Sequence, residues 1–346
     1  MKFFTKTMGL AFTAVALLAA PGSVKAVYCA SNDTCYDPCE GAAFSFGADF
    51  LWLKPCVLNL DYAADVTEVG KATTINYHNL KTKWEPGVRV YFGMPDVYYD
   101  WNMRGSWTYF KSDDTETRIG TDLVSPFLHP LLISDAGGSF TSIAAHWDLE
   151  YHEFDFVFSV PFEFCHNHYL EPFFGANGLL IRQHLGIDLA NTVLSNAQGP
   201  INWHSNSWGA GLIMGTRYEF NIEEGFKFHS KASASLLAGR STKGSNSQQL
   251  TIIQEATTTY SLSAFDDKKD CEFFPGLHIQ TGLSYEADMC GIQYGIHVGY
   301  EFKHWWNLPS PRRFTENIDD AEAHSGGDTT THLGMHGVYA GLEFKF

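Results

Sequence analysis

The chain is poor in charge. Lys, Arg, Asp and Glu make up 18% of its 346 residues, against about 25% in soluble domains. Positive charge is the scarcer: 23 Lys and Arg stand against 39 Asp and Glu, giving a formal net charge of −16. A nucleic-acid binder needs a basic surface to displace counterions, so nucleic acid is excluded as a partner. Beyond the N-terminus no apolar run approaches the roughly 18–20 residues of a membrane-spanning helix. No Ser-His-Asp order, G-x-S-x-G motif or phosphate loop stands out, so neither an enzyme nor a cofactor is expected. What the chain has in quantity is aromatic residues, at 15%, and 31 glycines. With 45% hydrophobic residues it has ample surface to bury, which excludes disorder. Two classes remain: a secreted all-β domain and a β-barrel embedded in an outer membrane.

Residues 1–26 read as an export signal. Lys2 and Lys6 precede an apolar stretch from Met8 to Ala20, Pro21-Gly22 ends it, and Val24-Lys25-Ala26 offers small residues for cleavage. Residues 27–42 form a cysteine-rich segment, and 43–346 hold the barrel pattern. All seven cysteines lie in the exported part, where disulfides are permitted. Seven is odd, so at least one thiol is free or paired with another molecule. Cys29, Cys35 and Cys39 lack a C-x2-C knuckle. His166 and His168 sit at a short turn, and Lys268 and Lys269 interrupt the acidic run Asp266, Asp267, Asp270. None of these is read as a metal site.

The strongest signal has period two. Val338, Ala340, Leu342, Phe344 and Phe346 alternate with Tyr339, Gly341, Glu343 and Lys345. Alternate side chains of a strand point to opposite faces, so one face here is wholly apolar. The same pattern recurs around 43–54, 84–93, 97–110, 144–160, 168–186, 206–220, 226–240, 272–287 and 291–304. Strands of ten or more residues, apolar on one face and small or charged on the other, are the signature of a transmembrane barrel. The expected fold is all-β: an antiparallel barrel of at least ten strands, ten to twelve favoured. Segments 56–63 and 250–265 are the candidates for extra strands. Short connections alternate with long ones, which places both termini in the periplasm and the long loops outside. In segment 144–160, Trp147, Leu149 and Tyr151 are apolar at odd positions, while Phe154, Phe156 and Phe158 are apolar at even ones. A β-bulge near His152–Glu153 would turn both sets to lipid; two short strands are the alternative.

Alternation puts Asp49, Arg89, Asp100, Asn102, Arg104, Arg217, Lys227, Lys231, Glu301, Lys303, Glu343 and Lys345 on the inner face, as candidate pore-lining residues. A salt-bridged interior without conductance is the other reading of that set. The topology leaves Cys29, Cys35, Cys39, Cys165 and Cys290 on the periplasmic side and Cys56 and Cys271 near the outer rim. A disulfide needs Cα atoms within about 7 Å, so the two groups cannot pair across the bilayer.

The chain resembles the Legionella-type major outer membrane proteins and, more loosely, the chlamydial ones. The likeness rests on Cys35-Tyr36-Asp37-Pro38-Cys39-Glu40, on Phe46-Gly47-Ala48-Asp49-Phe50-Leu51-Trp52-Leu53-Lys54-Pro55, on Trp107-Thr108-Tyr109-Phe110 with Asp113-Asp114, and on Leu236-Leu237-Ala238-Gly239. It implies a cysteine-rich outer-membrane porin that passes small hydrophilic solutes and ions, set in outer-membrane lipid. It also implies disulfide links to envelope neighbours or a homo-oligomer. In resembling proteins an apolar terminal strand, here Leu342, Phe344 and Phe346, is read by the barrel-assembly machinery. A structural or adhesive barrel with surface-exposed loops is the competing function.

Overall fold

The computed structural model describes residues 44–346 apart from 59, 70–71, 99–100, 130–131, 133–138, 166, 192–196, 224, 244–245, 254–256, 264–266, 290–291, 312, 316–323 and 326–329. The export segment, Cys29, Cys35, Cys39, Asp100 and Cys290 lie outside the described residues, as do the side chains of Cys165 and Cys271.

Ten antiparallel strands form the wall: β1 (Ser45–Val57), β2 (Glu85–Tyr98), β3 (Trp101–Val124), β4 (Phe140–Ser159), β5 (His168–Ala190), β6 (Gln198–Glu223), β7 (Phe226–Lys243), β8 (Asp267–Met289), β9 (Ile292–Pro309) and β10 (Thr330–Lys345). Each pairs with the next, and β10 pairs back onto β1 from Ser45↔Lys345 to Val57↔Leu333. Phe44 and Phe346 exchange both backbone hydrogen bonds at the seam, and their rings stack at 4.9 Å. Closure is what hydrocarbon demands, since an open edge would leave N–H and C=O groups without partners.

The alternation sorts the faces. Phe50, Leu212, Met214, Leu236, Val298 and Leu342 are exposed on the outside of the wall. In water such a belt would be an aggregation site; against lipid it is the solvated surface. The short connections sit at one end. Gly225, at a φ of 87°, makes the tight turn from β6 to β7, and a Cβ there would lie 2.3 Å from the Glu286 carbonyl oxygen.

At the other end several strands run past the belt, so Lys111–Glu116 is strand rather than loop. Two hairpins extend the wall there without joining the ring of ten. Asp61–Val69 pairs with Ala72–Asn79 and touches β3 through Ala64↔Val124. Asn246–Ile253 pairs with Thr257–Ser263 and continues from β6. They account for the two segments that read as possible extra strands. Arg118 donates to Asp65 at 2.7 Å and His78 bonds it at 2.8 Å, which fixes the first hairpin on β3. The same two bonds, Arg118 first, hold the Asp65 carboxyl below its usual range.

The expected bulge in β4 is absent. Its register with β3 runs evenly through Thr108↔Glu153 and Tyr109↔His152. Phe154 and Phe156 face out, while Trp147, Leu149 and Tyr151 are fully buried inside the barrel. The apolar side chains change face because the outer half of the interior is itself an apolar core, not because the strand slips.

Candidate functional site

The interior is layered along the barrel axis. The middle layer is a buried ion network. Arg89 on β2 donates to Asp49 on the adjacent β1 at 3.1 Å and reaches across the barrel to Glu301 on β9 at 2.6 Å. Glu301 also takes bonds from His278 at 3.1 Å and Gln280 at 2.8 Å, and His297 bonds the other oxygen of Asp49 at 2.8 Å. Lys303 pairs with Glu153 of β4, again across the barrel, and Tyr151 donates to Glu153 at 2.9 Å. Glu301 is 1% exposed and Lys303 2%. Charges this deep are tolerated only because each meets an opposite charge and several hydrogen bonds.

The inner half, toward the short turns, is a charged chamber. A cavity of about 140 Å³ is lined by Asp49, Tyr91, Arg104, Arg217, Lys231 and Glu343 among others. Arg104 lies 4.1 Å over the Tyr91 ring. Arg217 pairs with Glu171 at 3.1 Å, and Asn102 donates to the other Glu171 oxygen at 3.4 Å. Lys227 and Lys345 both reach Glu286, at 2.6 and 2.9 Å.

The outer half is packed with apolar side chains. Leu51, Leu53, Phe110, Ile181, Leu237, Phe274, Trp305 and Met335, drawn from seven strands, are all buried. Trp305 donates its indole N–H across the lumen to Tyr151 at 3.0 Å. Above them Phe127 and Leu128, in the connection after β3, join the same core. Gln248 ties that connection down, accepting from the His129 N–H at 2.8 Å and donating to the Phe127 carbonyl at 2.7 Å. Burial lowers the affinity of the His129 imidazole for a proton.

Of the candidate pore residues, Asp49, Arg89, Glu301, Lys303 and Lys231 fall in or beside the middle layer. Asn102, Arg104, Arg217, Lys227, Glu343 and Lys345 fall in the inner chamber, and Asp100 lies outside the described residues. Glu153, Asp155, Glu171, His278 and His297 belong to the same constellation and were not singled out from the sequence. Glu153 alternates with Phe154 and Phe156, which is the signal that places it inside. Leu342, Phe344 and Phe346 are exposed on the lipid face. Cys56 carries a free, exposed thiol toward the outer end of β1.

The faces give a direct test by labelling. In a background without native cysteines, a cysteine at Asn102 or Ser106 is expected to react with a small water-soluble thiol reagent. One at Trp101 or Met103 is expected to stay unreacted. Equal labelling of both sets would remove the assignment of faces.

The model of the family described as Legionella pneumophila major outer membrane protein precursor matches residues 36–346. The chain belongs to that family. Its place is therefore with outer-membrane proteins. No curated protein sequence matches it. Among solved structures it is similar to the outer membrane protease OmpT of Escherichia coli, at 9% identity and a TM-score of 0.38, over 88% of this chain and 96% of that one. It is also similar to the toluene transporter TbuX of Ralstonia pickettii, at 9% identity and a TM-score of 0.24, covering 89% and 92%. A Pseudomonas aeruginosa FadL homologue gives 8% identity and a TM-score of 0.24, covering 88% and 89%. At these values none of the three bears on what the family member does.

Proposed function

We propose that this family member is an outer-membrane porin for small hydrophilic solutes and ions, held closed at rest, and not an enzyme. Residues 1–26 export it, and the Leu342–Phe346 face addresses it to the assembly machinery. The observation that carries the reading is the inner chamber. Side chains of both charge signs surround unfilled space there, an arrangement suited to hydrated ions. The apolar outer layer sets the resting state. Wetting it would expose side chains whose burial is worth about 1.5–3 kcal/mol each. A hydrophobic constriction of this kind gates by excluding water.

The packing of that outer layer also favours a second reading, a structural barrel that never conducts and is linked to envelope neighbours through its N-terminal cysteines. Planar-bilayer recording of the purified protein separates the two. The porin reading expects sparse openings of the wild type and several-fold more current from Trp305→Ala with Phe110→Ala, which empties the constriction. Silence of both proteins, with the barrel shown to be folded, would leave the structural reading.

A further inference from the structure

The outside of the wall is apolar only as far as the row Tyr109, Leu180 and Trp208, joined by the register through His152. Beyond it the outward positions turn polar: Lys111 on β3, Glu150 on β4, Arg182 on β5 and Asn206 on β6. Charged groups at this density place the face outside the hydrocarbon. Four residues past His152 on β4, about 13 Å along the strand, sits Asp148.

His146 and Asp148 are two apart on β4, so they share this face. Asp148 is directly opposite His184 on β5, and His184 is directly opposite His204 on β6. One carboxylate oxygen of Asp148 lies 2.9 Å from His146 Nε2 and 3.4 Å from His184 Nδ1. All three ligand-type atoms fall within 4.8 Å of one another. Two ligands of a tetrahedral zinc ion with bonds of about 2.0–2.1 Å stand about 3.3 Å apart, so the side chains need only small rotations to close on one.

The surroundings also suit a cation. Thr115 Oγ1 lies 3.0 Å from His146 Nδ1 and the Asp113 carboxylate 3.4 Å from it, leaving Nε2 aimed at Asp148. A metal-bound imidazole is held by such a bond on its other nitrogen. The His204 ring stacks on His184 at 4.2 Å and 7°, fixing its plane. Among the described residues Asp148 has no Lys or Arg partner; its ion-pair partners are the imidazoles of His146 and His184. The side chains of His146, Asp148 and His184 are 40%, 32% and 30% exposed, which leaves room for water as a fourth ligand.

We propose that His146, Asp148 and His184 form a binding site for a divalent transition-metal ion of the zinc type on the outer face of the barrel, bridging β4 and β5 above the lipid. The imidazole and carboxylate set selects such an ion over calcium, which takes oxygen ligands alone. The sequence reading expected no metal. His184 lies 36 positions from Asp148, and only the strand register sets it in one row with His146 and Asp148.

The test uses the untagged mature protein, folded in detergent micelles with its thiols alkylated. Equilibrium dialysis is expected to show one Zn²⁺ per barrel that excess Ca²⁺ does not displace. His146→Ala should weaken it by at least about tenfold. His146→Ala with His184→Ala should abolish it, while His304→Ala, on β9 beside His332 of β10, should leave it intact. Zinc should also raise the unfolding midpoint of the wild type and not that of the double variant. Asp148→Asn keeps side-chain size, so a lost site in that folded variant cannot be a folding defect. A wild type that binds no zinc, or a folded double variant that keeps its equivalent, would overturn the proposal.

Discussion

Replacing Arg89 with Leu is expected to cost the barrel about 3–5 kcal/mol, the range for removing one partner of a buried ion pair. The substitution leaves Asp49 and Glu301 without their guanidinium, and both are almost wholly buried. His297 and His278 remain beside them, but neither imidazole spans both carboxylates as the guanidinium does. Urea-driven unfolding in lipid vesicles reads the loss. Adding Asp49→Asn and Glu301→Gln to Arg89→Leu should recover a large part of it, because the neutral amides no longer need a counter-charge. A single Arg89→Leu as stable as the wild type would mean that water already reaches this layer.

Arg in place of Leu212 is expected to cost about 2–4 kcal/mol, the range for a basic side chain at the bilayer midplane. Leu212 is 69% exposed at the middle of β6, flanked by Ala176 on β5 and Leu236 on β7. No acidic neighbour on that face can offset the charge. Leu212→Phe, which keeps the position apolar, should be nearly neutral. The two are compared by the fraction folded into vesicles across a urea series. An Arg variant that folds as readily as the Phe variant would show that this face does not meet lipid.

The wall of the barrel was legible because lipid enforces contrast. Where a strand crosses hydrocarbon its outward side chains are mostly apolar, and the period of two follows. Where strands rise above the membrane the contrast ends. Lys111, Asp113 and Thr115 point out while Ser112 and Asp114 point in, so that stretch of β3 read as loop. Trp147, Leu149 and Tyr151 misled for the opposite reason. An apolar side chain looks the same in the sequence whether it meets lipid or a packed lumen. Single inner-face charges could be placed by alternation, as with Arg89 and Glu301. Their pairing could not, because 212 positions separate them and only the closed register sets them 2.6 Å apart.

The seam between β1 and β10 makes assembly a cooperative event. Every other neighbouring pair in the wall is made by consecutive strands, and each can form as a hairpin. The seam instead brings residues 44 and 346 together. Loop-closure entropy makes that contact costlier than a ten-residue hairpin by about 3 kcal/mol. A sheet that stops short of it has two unpaired edges, each a template for another chain. Intermediates would therefore be the aggregation-prone species, and the rate of folding should depend most on contacts that tighten the seam, such as the stacked rings of Phe44 and Phe346.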